Sequence, residues 1–147
     1  EDTAKGSMVL GITRKDLEDI MNIREHIEAL AAYYATVNMT PERLAELRHI
    51  VDLQEFYYGK GDLEHLRQAD DAFHDAINLA SQRNVIIDTL IPLHRRTRRY
   101  RLKSTVLEHR AIFDAIASGD AELARERTAT HIRNAKNHML EGREHHG

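Results

Sequence analysis

The sequence predicts an all-α protein, an antiparallel bundle of about six helices, and three observations carry that reading. Apolar side chains recur at i, i+3, i+4 and i+7 along most of the chain, the spacing that gathers them on one helix face. Capping residues and glycines punctuate the chain at intervals that suit helices joined by short loops. No stretch alternates apolar and polar residues between hairpin signals, and no internal repeat or low-complexity segment interrupts the pattern.

Residues 1–11 lack periodicity and read as a linker or expression remnant around Gly6, Ser7 and Met8, which leaves 12–141 as the folded domain. The first helix begins near Thr13, with Asp16 three residues on as a capping-box variant. Its core stripe is Leu17, Ile20, Arg24, Ile27, Ala31 and Tyr34, and it ends around Asn38. Thr40 and Pro41 supply a cap and a first-turn proline for the second helix, which runs through Leu44, Leu47 and Val51 and closes at Gly59 and Gly61. Asp62 caps the third, whose inward stripe reads Leu63, Leu66, Asp70, Phe73, His74, Ile77. The fourth starts near Asn84 and passes through Ile86, Leu90 and Leu93 into a basic run, with Pro92 inside it and a break expected near Ser104. The fifth carries Val106, His109, Ile112, Phe113 and Ile116. After the turn at Ser118, Gly119 and Asp120 a sixth helix extends to about Leu140, and residues 142–147 read as a frayed tail in which His145 and His146 are poor ligands.

Composition narrows the function. A chain of 147 residues suits one domain that buries about two-thirds of the surface its unfolded form exposes. No segment approaches the ~20 apolar residues of a membrane span, and no signal peptide opens the chain. The absence of Cys excludes disulfides and thiolate metal sites and fits a cytoplasmic address. A net charge of −3 argues against nucleic-acid binding by this chain itself. The basic run from His94 to Lys103 reads mainly as a solvated face, with some arginines able to reach an anionic ligand.

Asp70 and His74 set the central problem. One helical turn apart, they point where Leu66 and Ile77 point, into the core, and a buried carboxylate needs a positive partner. Two partners are in reach of the pattern. His109 lies in phase with Ile112, Phe113 and Ile116, and His131 shares a face with Ala124, Thr128 and Ala135, so Asp70, His74, His109 and His131 can converge as three imidazoles and one carboxylate. That set suits a divalent transition metal, zinc first, with nickel, manganese, cobalt or iron as alternatives. The other partner is Arg24, itself on a core stripe, where it pairs with Asp70, with Glu28 at i+4, or with the carboxylate of a ligand. Arg101, in phase with Leu90, Leu93, His94 and Thr97, and Asn134, one turn beyond His131, are further ligand-binding candidates. His26, His49 and His65 sit among charged neighbours and read as exposed; the phase of His94 and His138 is undecided.

These residues carry a resemblance. Arg24 to Glu28 with Ala29, Ala31 and Ala32, then Asp70-Asp71-Ala72-Phe73-His74, Glu108-His109-Arg110-Ala111-Ile112, Ala115-Ile116, Gly119-Asp120 and Thr130-His131-Ile132 together resemble the FadR-type C-terminal (FCD) domain of GntR-family transcription regulators, over roughly residues 13–140. In the metal-binding branch of that family, the residues matching Asp70, His74, His109 and His131 hold a divalent metal, and a small carboxylate effector binds beside it. The resemblance thus implies a dimerising, ligand-sensing domain that is not an enzyme. Family members begin with a winged helix-turn-helix of about 70 residues, which the residues before Ile12 are too few to form, so DNA binding is expected only through a domain outside this chain. Two rivals stand beside this reading: a metal-dependent hydrolase, for which Glu108 is expected to face away from His109, and a metal-free association domain with Asp70 paired to Arg24.

Overall fold

The computed structural model describes residues 12–97 and 102–146, and six α-helices account for nearly all of them. Helix α1 spans Arg14–Val37, α2 Pro41–Lys60, α3 Leu63–Ala80, α4 Asn84–Arg96, α5 Leu102–Ala117 and α6 Ala121–His146. Three of the starts are fixed by the expected caps: Thr13 accepts from the Asp16 amide, Thr40 from that of Arg43, and Asp62 from that of His65. Gly61 ends α2 in the left-handed region at φ 70°, and Gly119 makes the α5–α6 turn at φ 78°, conformations that an L side chain rarely adopts.

Helix α1 lies antiparallel along α6. Glu25 pairs with Arg133, Asn22 with Lys136, and Arg14 reaches the Leu140 carbonyl, so rising numbers on one helix meet falling numbers on the other. Helix α2 packs on α3 and α5, α5 packs on α6, and α4 lies against α1 and α3. Two apolar clusters result. One joins Leu17, Ile20 and Met21 of α1 to Ile132 and Met139 of α6. The other joins Ala32 and Ala35 to Leu47, Val51, Phe73, Ile77, Ile112, Ile116 and Ala124. The buried polar residues between the clusters are Arg24 and Glu28 along α1, and Thr128 and His131 along α6. The polar residues are therefore sealed between two apolar plugs.

The structure departs from the expected elements in three places. Leu63 is exposed, because as the first residue of α3 it precedes the turn that meets the bundle. Helix α4 stops at Arg96, and Ser104 lies within α5, so the break comes earlier than expected. Thr97 caps α4 there, its hydroxyl donating back to the Leu93 carbonyl and accepting from Arg24. Helix α6 continues past Leu140 to His146, with no proline in that stretch to stop it. The expectations for residues 1–11 and for Arg101 lie outside the described residues. No helix among the described residues is long and apolar enough to cross a membrane.

Candidate metal centre

Three helices, α3, α5 and α6, bring Asp70, His74, His109 and His131 together, and all four side chains are buried. The Nε2 atoms of His109 and His131 are 3.1 Å apart. Asp70 Oδ1 lies 3.7 Å from His74 Nε2 and 3.7 Å from His109 Nε2. The three imidazoles each offer a nitrogen within 4.8 Å of the others. Two donors about 2.1 Å from one ion stand about 3.0 Å apart at a right angle and about 3.4 Å apart at the tetrahedral angle. The cluster is thus close to the spacing of a shared cation, and its chemistry, neutral nitrogen with one carboxylate oxygen, suits zinc and its neighbours.

What lies behind each ring matters as much. His74 Nδ1 donates to Glu28 Oε1 at 3.2 Å, and His131 Nδ1 donates to Glu108 Oε1 at 2.6 Å. The Gln54 amide lies against His109 Nδ1, its oxygen at 3.1 Å and its nitrogen at 2.8 Å. An imidazole that donates through Nδ1 turns a bare Nε2 inward, the orientation a metal requires. Gln54 can serve either tautomer of His109, accepting from Nδ1–H or donating to a bare Nδ1. Phe73 stacks on the His109 ring at a centroid distance of 4.0 Å and fixes its plane.

Arg24 does not pair with Asp70. Its Nε donates to Glu28 Oε2 at 2.6 Å, and its terminal nitrogens reach Thr97 Oγ1 at 2.9 Å and His94 Nδ1 at 3.2 Å. The i,i+4 partner therefore takes the guanidinium, because both side chains leave the same helix face. Burial pushes the Glu28 carboxyl up, but the charge of Arg24, with the hydrogen bond and charge of His74, holds it well below the usual carboxylate range. Asp70 shows the reverse. Burial raises it to about 6, an effect that His74 offsets and Asp71 reinforces. Burial also lowers His74 and His109, the latter well below 6.5, helped by neighbouring imidazoles. His74 and His109 therefore favour the neutral form that binds metal.

Beside the cluster is a cavity of about 30 Å³ lined by Arg24, Asp70, His74, His94, Thr97 and His131, among others. It holds little more than one water. His94, of undecided phase in the sequence, is buried here, with its ring centroid 4.3 Å from that of His74. Glu108 does not face away as expected. Its backbone sits about 100° round α5 from His109, but the side chain is long enough to reach His131 on α6. Asn134 is exposed and donates to the other oxygen of Glu108 at 2.9 Å, one step behind His131. His26, His49, His65 and His138 are exposed. Besides Glu108, three site residues escaped the sequence reading as parts of the cluster: Gln54, His94 and Glu28 in its contact with His74. Only Glu28 carried a usable signal, its i+4 spacing from a core arginine.

Together these elements define an all-helical domain built round a sealed centre of imidazoles and carboxylates. The FCD domain model matches residues 19–134. The chain belongs to the FCD domain family, the helical effector-binding domains of GntR-family regulators. It is 28% identical over 87 residues to the HTH-type transcriptional regulator McbR of Escherichia coli strain K12, an alignment that covers 59% of this chain and 39% of that regulator. Among solved structures it is similar to E. coli McbR/YncC, with a TM-score of 0.80 and 21% identity over 90% of this chain and 68% of that one. A GntR structure from Streptococcus agalactiae gives a TM-score of 0.76 and 21% identity, covering 84% and 60% of the two chains. The chain thus spans about two fifths of the curated relative that it matches.

Proposed function

We propose that this domain is a metal-dependent sensor: Asp70, His74, His109 and His131 hold one divalent transition metal, zinc first, and a small carboxylate or hydroxy-carboxylate effector binds beside it. The observation that carries this reading is the pair of carboxylates behind the rings, Glu28 and Glu108, which leave bare Nε2 atoms on His74 and His131 close to Asp70 and His109, while Gln54 can accept from His109 Nδ1 and free its Nε2 as well. Three imidazoles and one carboxylate oxygen leave further positions open on an ion that takes five or six ligands. Arg24 supplies the organic anion with a bidentate partner from the cavity wall, Arg101 is a further ligand-binding candidate, and Asn134 acts from behind the site, on His131 through Glu108.

The cavity is too small for an organic acid as it stands, so effector binding requires His94 and Thr97 to give up Arg24. Thr97 caps α4, and its release shifts that helix end. An effector that favours the shifted arrangement changes its population, and in a homodimer of the whole regulator this alters DNA binding by a separate N-terminal domain. A hydrolase is the weaker reading. Glu108 stands behind His131 and not on the cavity side, so it is badly placed to take a proton from a metal-bound water.

Two titrations test the proposal on protein stripped with chelator. Zinc should bind at one ion per chain by calorimetry, and Asp70→Asn should weaken it by at least about a hundredfold, since a direct ligand matters at least as much as an outer one. Small carboxylates should then raise the melting temperature only when the metal is present and Arg24 intact. Equal binding by Asp70→Asn, or no binding by the parent domain, refutes it.

A further inference from the structure

By proximity alone His94 belongs to two more groups of donors, one with Glu28 and His74, the other with Asp70 and Asp71. A fourth imidazole ligand, or a second ion, would follow if proximity decided. The hydrogen bonds argue otherwise. An arginine N–H can only donate, so the contact of Arg24 with His94 Nδ1 at 3.2 Å makes that nitrogen an acceptor and leaves the ring's hydrogen on Nε2. His94 Nε2 then donates its N–H to Asp71 Oδ1, 3.2 Å away, and the same nitrogen stands against Asp70 Oδ2 at 3.7 Å, a contact too long for a hydrogen bond. This tautomer is opposite to the one that Glu28 and Glu108 impose on His74 and His131. A nitrogen that carries a hydrogen has no lone pair for a cation.

We infer that His94 is a positioning residue: Arg24 locks it as the Nε2–H tautomer, its N–H is tied to Asp71, and the ring so fixed stands against Asp70 Oδ2 and keeps Oδ1 toward the imidazole cluster. The inference rests on the metal reading above and deepens it. It assigns the two oxygens of Asp70 separate duties, one toward the ion and one toward α4, and it limits the protein's donor set to three imidazoles and one carboxylate oxygen. It also gives the effector a route to the metal. An anion that draws Arg24 away from His94 removes what fixes the tautomer, and with it the restraint on Asp70.

Glutamine separates positioning from ligation. At position 94 its carbonyl can accept from Arg24 and its NH₂ can donate to the carboxylates, but an amide is a poor ligand for zinc. His94→Ala should weaken zinc binding by about 10- to 100-fold, as loss of an outer partner does elsewhere. His94→Gln should restore affinity to within about threefold of the parent, with the melting profile of each metal-free variant as the control for folding. In nitrogen-15 spectra of the zinc-loaded parent, His94 should show a hydrogen on Nε2 and a bare Nδ1, the pattern reversed from His74 and His131. Equal loss in Gln and Ala variants, no loss in Ala, or a metal-bound His94 nitrogen overturns the positioning role while zinc binding by the parent stands. A parent that binds no zinc fails at the earlier step, the metal reading itself.

Discussion

At the scale of single residues, the centre is a set of buried groups whose ionisation must be paid for by neighbours. Glu28 carries the largest share, since it accepts from both Arg24 and His74. Glu28→Gln leaves the guanidinium buried without its counter-charge, and breaking a buried pair in this way costs about 3–5 kcal/mol. In a domain of this size that lowers the melting temperature by roughly 10 °C, readable by calorimetry. Gln54→Leu should act on metal and not on fold. It removes the polar partner of His109 Nδ1 and should weaken zinc binding about 10-fold or more, measured by competition with a chelator. The inward phase of Asp70, His74, His109 and His131 was legible in the sequence because the first three share a face with strongly apolar neighbours and His131 shares one with the small residues Ala124, Thr128 and Ala135. His94 was not, since the arginines that follow it hide the inward phase of the last turn of α4. Gln54 and Glu108 were not legible for a different reason: they act across helices, and the phase of one helix says nothing of what its neighbour presents.

At the scale of helices, local signals set most of the boundaries, and local changes should move them predictably. Asp62→Ala removes the acceptor for the His65 amide at the start of the helix that bears Asp70 and His74. A lost cap of this kind costs about 1 kcal/mol, and a shift of the denaturation midpoint with unchanged slope would register it. Gly61→Ala places a side chain at φ 70° where nothing else lies within 4 Å, so its cost should be backbone strain alone, about 1 kcal/mol. The caps at Thr13, Thr40 and Asp62 were readable because they depend on neighbours within four residues. The end of α4 was not. Thr97 stops that helix while bound to Arg24, seventy-three residues away in sequence, and no local pattern contains that contact.

At the scale of the whole molecule, the buried centre couples stability to pH and to metal. His74 and His109 have lowered pKa values, so the folded state binds fewer protons there than the unfolded chain, and their contribution is full above about pH 6.5 and lost as pH falls below it. Asp70 works in the opposite direction. Its carboxyl is raised from 3.8 to about 6, so its contribution is full below about pH 4 and lost as pH rises through 6. Asp70→Asn removes the opposing arm, so the melting temperature of the metal-free variant should fall more steeply than that of the metal-free parent as pH drops from about 6.5 toward 4. Zinc at about a hundred times its dissociation constant should stabilise the fold by about 2.7 kcal/mol, and EDTA should reverse that gain. The bundle was legible at this scale because two apolar clusters with a polar waist leave a 3.6-residue signature on most of the helices.

X-ray absorption at the zinc edge of the loaded domain tests the central claim most directly. The account predicts one ion per chain with three imidazole scatterers and at least one oxygen, at about 2.0–2.2 Å. A shell of oxygens without imidazole, or four imidazoles in place of three, would contradict it.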